Sequence, residues 1–251
     1  LTPHAGIVPY DLNVPFWSDN AHKTRWFSVT NINQTIGFNP TGNWLFPTSS
    51  VWIKHFELEL TNGVPASRKR LETRFIVRTT TGVYGATYRW GDSLTDATLV
   101  PDEGLDETFT MDDGNGLLRN QVWHYPSRTE CLICHTPQGG YALGFNTPQL
   151  NRNFDYDGAT TNQIEALSLA GYFSTAVTNR HLLRSLAHAT NHLVSREDRG
   201  RSYLDANCVA CHQPGGTSQA LWDAGLFTPG PQNGIVNGAL LSSLGDTNNR
   251  V

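Results

Sequence analysis

From about residue 44 to residue 125, hydrophobic and polar positions alternate along the chain. In VWIKHFELEL, Trp52, Phe56, Leu58 and Leu60 point to one side, while Ile53, His55, Glu57 and Glu59 point to the other. That is the period-two pattern of a strand with one buried face. TNG at 61–63 reads as a turn, and LETRFIV then sets Leu71, Thr73, Phe75 and Val77 against Glu72, Arg74 and Arg78. After TTTG, the stretch VYGATYRW supplies a further strand, and DDGNG at 112–116 reads as another hairpin leading into LLRNQVWHY. The middle third is predicted to be an antiparallel β unit.

Beyond residue 126 the period changes. TTNQIEALSLAGYF is expected to form a short helix capped by Thr160 or Thr161, with Gly171 near its end. SREDRGRSYLDANC is expected to start from Ser195 as N-cap, with acidic residues in its first turn and Leu204 facing inward. The expected fold class is α+β: an antiparallel β-rich domain over 1–125, packed on a loop-rich α-helical domain over 126–251 that carries the cofactor chemistry. No repeat or low-complexity segment interrupts either part.

All four cysteines fall in two pentapeptides, CLICH at 131–135 and CVACH at 208–212. A chain of 251 residues can bury a core without sulfur staples, so the cysteines call for a chemical reason. Cysteines three apart on a helical turn present both sulfurs to one side, where they can add to the two vinyl groups of a haem; the next histidine then reaches the iron. Two zinc half-sites or a redox dithiol are the competing readings. Zinc needs no histidine after both pairs, and CxxC pairs that share a zinc are commonly about 15–20 residues apart, far less than the stretch from Cys134 to Cys208. Two covalently attached haem c groups are therefore expected, on Cys131, Cys134 and His135 and on Cys208, Cys211 and His212. Covalent haem attachment takes place outside the bacterial cytoplasm, so the expected location is periplasmic or extracellular.

The sixth iron positions are less defined. Met111, the one methionine, serves at most one haem. The other histidines are His4, His22, His55, His124, His181, His188 and His192. His55 and His124 are the candidate metal ligands for the first haem, because both lie in the β unit among aromatic residues; His55 is preferred, with Met111, Lys23 or the 181–192 histidines next. His188 and His192, four apart, could share a helix face near the second haem. Pro148 is a candidate to lend its carbonyl to the His135 imidazole, the kind of outer bond that orients a ligating ring.

Composition narrows the function classes. With 38% hydrophobic and 16% charged residues, a net charge of −4 and no long apolar run, the chain reads as globular with no membrane span, and without a basic tract it does not read as a nucleic-acid binder. The opening LTPHAGIVPYDLNVPFWSDNAHK has neither initiator Met nor signal-peptide pattern, and is read as a mature product or, by preference, an excised piece of something longer. No Ser-His-Asp set, phosphate loop or paired carboxylates stand out, so no catalytic residues are assigned.

The ordered set VPFWSDNAHKTRW, KHFELEL, RLETRFIVR, TYRWGDSLTDATLV, YPSRTECLICHT, LGFNTPQLNR and RSYLDANCVACHQPGG resembles a family of bacterial dihaem c-type cytochrome modules. Such modules are often fused behind a PQQ-dependent, glucose/sorbosone-dehydrogenase-type β-propeller. The resemblance covers nearly the whole chain and implies an electron-transfer module, not an enzyme in itself, whose redox partner is a linked or separate PQQ-dependent dehydrogenase. It also implies a methionine for the second haem from a Met-Pro-Pro-like motif beyond a segment such as SLGDTNNRV, whereas this chain ends at Val251, before any such motif. The competing classes are a peroxidase-like haem enzyme with one open iron and a self-assembling subunit of an extracellular haem assembly.

Overall fold

The structure is a computed structural model that describes residues 2–220, 222–236 and 238. It divides into two compact units: Leu1–Asp11, Trp17–Gln34 and Phe46–Ile133 form the first, and Leu12–Phe16, Thr35–Leu45 and Cys134–Val251 the second. The α+β class with antiparallel sheets stands, although the helical share is small. The division along the chain differs from the expected 1–125 and 126–251. It falls after Ile133, and two early segments belong with the later unit.

In the first unit, β1 (Val8–Tyr10), β2 (His22–Ser28), β3 (Val51–Glu59), β4 (Arg68–Arg78), β5 (Val83–Arg89) and β6 (Thr98–Leu99) form an antiparallel sheet in chain order. The predicted turns fall where the pattern put them: Thr79 N–H donates to the Gly82 carbonyl at 2.9 Å between β4 and β5. A hairpin of β7 (Leu105–Asp112) and β8 (Leu118–Tyr125) closes around DDGNG, and α1 (Arg128–Cys134) follows it.

Hydrophobic alternation misassigns β4. The packed face carries Glu72, Arg74 and Ile76, the side read as polar, and Glu72 is wholly buried. A register shift opposite Phe56/Glu57 is the reason: Phe56 pairs with Glu72 and Glu57 with Arg70, leaving Leu71 as the extra residue. A bulge turns the chain by one residue, and a one-residue slip moves side chains to the other face. Leu71 thereby joins Phe56, Leu58, Val100, Phe109, Met111, Trp123 and Tyr125 in one apolar cluster.

The second unit is stitched by its early segments. Val14 N–H donates to Gln149 Oε1 at 2.9 Å, and Gln149 Nε2 donates back to the Val14 carbonyl at 2.7 Å, with Gln149 buried in α2 (Thr147–Leu150). Trp44, 1% exposed, packs edge-on against Phe173 and close to Phe145, and its indole N–H donates to Thr147 Oγ1 at 2.9 Å. A small hairpin, β9 (Asn153–Tyr156) and β10 (Ala159–Asn162), leads into α3 (Gln163–Leu169). Thr160 and Thr161 lie in β10; the cap is Asn162, whose side chain accepts from Ile164 N–H. Helix α4 (Arg196–Cys208) starts as expected: Ser195 accepts from Asp198 N–H, with Glu197 and Asp198 in the first turn. Its buried residues are Ser202 and Asp205, not Leu204. His188 and His192 lie in irregular, exposed chain and share no helix face.

Leu58, 1% exposed at the centre of the apolar cluster, should cost about 2–5 kcal/mol when replaced by alanine. Val122, 60% exposed on the outer face of the hairpin, should change stability by less than about 0.5 kcal/mol on conversion to threonine. Urea unfolding of the two variants checks the contrast.

Candidate cofactor-attachment sites

The first pentapeptide begins on a deliberately started helix. Ser127 Oγ accepts from Glu130 N–H at 3.2 Å, and Glu130 returns a carboxylate oxygen to Ser127 N–H at 2.7 Å. This reciprocal box is written in the sequence as SRTE, a signal the hydrophobic pattern passes over. His124 braces it: Nδ1 donates to Asp106 Oδ1 at 2.6 Å, across the β7–β8 ladder, and Nε2 to Glu130 Oε2 at 3.0 Å. The two carboxylates, Asp106 first, raise the His124 pKa above its ordinary value, which holds both ring nitrogens as donors.

One turn on, Cys131 Sγ lies against the sheet at Gly85. A Cβ on Gly85 would sit 2.5 Å from that sulfur, so no other residue type fits without displacement. Gly85 pairs with Ile76, and Ile76 with Trp52, so Cys131 is on the face that also carries Lys54 and Phe56. The next row along that face is Arg25, Lys54, Arg74 and Thr87, cross-strand neighbours on β2, β3, β4 and β5. Glu72 is saturated by Arg74 (Nε to Oε2 2.8 Å, Nη2 to Oε1 2.5 Å) and by Trp123 Nε1 at 3.0 Å, and Asp11 faces Arg25 at 3.1 Å. Burial, with Arg25, Lys23 and Arg74 around it, pushes the Lys54 ammonium down to about 7. Burial also raises the Cys131 thiol above its ordinary value. Leu132 and Ile133, between the cysteines, are 46% and 56% exposed, an apolar pair turned outward.

In the second unit, His135 Nδ1 donates to the Tyr141 carbonyl. Tyr141 sits in the left-handed region at φ 60°, where a non-glycine residue costs roughly 1–2 kcal/mol. With the proton on Nδ1, the lone pair is on Nε2, the tautomer a metal-ligating imidazole uses. Pro148 does not make this bond. Its carbonyl accepts from Leu186 N–H at 2.8 Å and Asn13 Nδ2 at 2.9 Å.

The second pentapeptide closes α4. His212 N–H donates to the Cys208 carbonyl at 2.8 Å, so Cys208, Cys211 and His212 share one helical turn. Gly216 lets the chain fold back over this turn, because a Cβ there would collide with the Cys211 carbonyl. The His212 ring stacks on Trp222 with centroids 4.1 Å apart and planes at 28°. Its Nδ1 is buried without a hydrogen-bond partner, and burial lowers its pKa, favouring the neutral ring. All four cysteines are half-buried, and none is in a disulfide. Among the described residues no three His, Cys, Asp or Glu side chains converge on a metal-sized point. The residues present fit covalent haem: paired thiols on one turn, each pair followed directly by a histidine.

Comparison with protein-family models, curated proteins and solved structures finds no match.

The candidate sixth ligands are not brought to Cys131. His55 projects from the opposite face of the sheet: it pairs with Thr73, shares a 2.8 Å hydrogen bond with Thr73 Oγ1 through Nδ1, and meets the edge of Trp90. Its Nε2 is buried without a hydrogen-bond partner, 3.9 Å from Glu57 Oε1. His124, on the outer face of the β7–β8 hairpin, spends both nitrogens on carboxylates, and His22 pairs with Glu59 at 3.1 Å. Met111 is buried in the apolar cluster on β7. The SLGDTNNRV segment at 243–251 lies outside the described residues.

Burial, with Arg70 next, lowers the His55 pKa to about 4, so the unfolded chain binds the proton first. Stability should fall as pH drops from 6.5 towards 4, by on the order of 3 kcal/mol if the shift is fully expressed. His124 has the opposite sign: its contribution is present below 6.5 and is lost as pH rises through its raised pKa. Acid unfolding followed by circular dichroism should show His55→Gln removing much of the acid loss; an unchanged acid limb would refute this.

Proposed function

We propose that the protein is a dihaem c-type cytochrome module that passes electrons between a dehydrogenase and an outer acceptor. The observation that carries the reading is the His135 arrangement: directly after a Cys-X-X-Cys pair, a backbone carbonyl takes the Nδ1 proton and leaves the lone pair on Nε2. A second Cys-X-X-Cys-His turn, with a neutral ring stacked on Trp222, supports it independently.

When bound, haem supplies a one-electron couple. The chain's own residues have three tasks. The thiols of Cys131, Cys134, Cys208 and Cys211 anchor the two groups, which removes dissociation as a route of loss. His135 and His212 bind as neutral imidazoles, and the Tyr141 carbonyl holds the His135 ring in one tautomer and orientation. Leu132, Ile133 and Trp222 would offer apolar surface beside the attachment points, which would favour exclusion of water from a bound porphyrin. Attachment by thioether bonds places the protein in the periplasm or outside the cell, and a PQQ-dependent dehydrogenase is the proposed electron donor. Among the described residues no helix is long and apolar enough to cross a membrane.

A second reading, a peroxidase-like haem enzyme with one open iron, is favoured by one observation. Met111, His55 and His124 are held in the core, across the sheet or on carboxylates, as described above. The reduced visible spectrum separates the two: sharp α and β bands mark six-coordinate carriers, and a high-spin spectrum marks an open site.

Denaturing mass spectrometry of protein produced with a haem-attachment system should give the polypeptide plus two haem masses. Cys131→Ala and Cys208→Ala should each disturb attachment at their own motif and leave the other intact. An unmodified wild-type mass would sink the proposal.

A further inference from the structure

We propose that the cation row Arg25–Lys54–Arg74 is a carboxylate-binding site, and that the carboxylates it receives are the propionates of the porphyrin carried on Cys131. This rests on the dihaem reading above.

Three observations converge. First, Arg25, Lys54 and Arg74 are register partners on adjacent strands, one row along the sheet face from Gly85, where Cys131 Sγ lies. Lys23 pairs with Phe56, on the same face and one row further on. Side by side on neighbouring strands, like charges repel and a sheet does not choose them without a counter-charge.

Second, the charges on this face do not cancel. Asp11 answers Arg25 and Glu72 answers Arg74, whereas among the described residues no carboxylate is placed against Lys54. Glu72 is already saturated by Arg74 and Trp123, so it has no oxygen to spare for a further cation. Among the described residues Lys54 Nζ has no hydrogen bond or ion pair; its recorded contact is the Phe56 ring, 5.9 Å from the centroid. A sheltered cation without a partner is costly, and an incoming carboxylate would remove that cost.

Third, the spacing suits a porphyrin. The propionates leave the macrocycle from the edge away from the vinyl groups, so they must be met at a distance from Cys131. Lys54 is two strands and two residues from Gly85, roughly 12 Å between Cα atoms at about 4.8 Å per strand and 3.4 Å per residue. Arg74 is one strand nearer and Arg25 one strand further, which gives the row room for both carboxylates.

The test uses the two-haem holoprotein with Lys54→Met and Lys54→Arg. Removing a cation beside the propionates should favour the oxidised form. In Lys54→Met the oxidised-to-reduced ratio of one haem, at fixed applied potential, should rise about three- to tenfold, a fall of roughly 30–59 mV for a one-electron couple. The other haem should not move, Lys54→Arg should restore the wild-type value, and infrared bands of ¹³C-labelled propionates should shift only in Lys54→Met. Replacing an uncompensated cation by a side chain of similar length should leave the fold intact; if Lys54→Met is not recovered, Lys54→Gln is read in its place. Unchanged potentials and infrared bands with both haems attached overturn the inference. So does a wild-type potential that responds to added succinate while Lys54→Met does not respond, because the row would then bind a free dicarboxylate. A wild-type mass without haem refutes the dihaem reading itself, a result distinct from either.

Discussion

A thiol can rest on a β-sheet only where the sheet withholds a side chain, and the first unit turns on that constraint. At Gly85 the Cys131 sulfur occupies the space a Cβ would need. The contact sets which face of β5 receives α1, and from there which residues of β4 and β3 share a surface with the first cysteine. The Ser127–Glu130 box and the His124 brace act on the same helix from its other end. With its start capped and its cysteine seated, the short helix has little freedom of position, which a seven-residue helix does not secure by propensity alone.

The face so chosen is unusual for its charge. A sheet interior ordinarily excludes lysine and arginine, and here apolar clusters flank a row of them. Glu72 explains why Arg74 can be there, and Asp11 does the same for Arg25. Lys54 has no such explanation within the first unit.

The two pentapeptides share a spacing and little else. His135 is oriented by a carbonyl that a left-handed Tyr141 presents, whereas His212 is oriented by stacking on Trp222 and keeps its Nδ1 unpaired. Imidazole basicity rises when Nδ1–H has an acceptor. The two rings therefore differ in donor strength.

The sequence by itself determined the strand-rich middle, its turns at TNG, TTTG and DDGNG, the Ser195 cap and the pairing of each Cys-X-X-Cys with a histidine, because these depend on residues within a few positions of one another. It also contained the SRTE box, legible by the same logic. What only the tertiary structure decided depends on register and on distant partners. The bulge opposite Phe56/Glu57 put Glu72, Arg74 and Leu71 on the packed side, and alternation alone cannot show a slip of one residue. The sheet set His55 on the face away from Cys131, carboxylates from two elements took His124, and the core took Met111. Spacing can say which residues form a motif; which side chains face it is decided by where the strands meet.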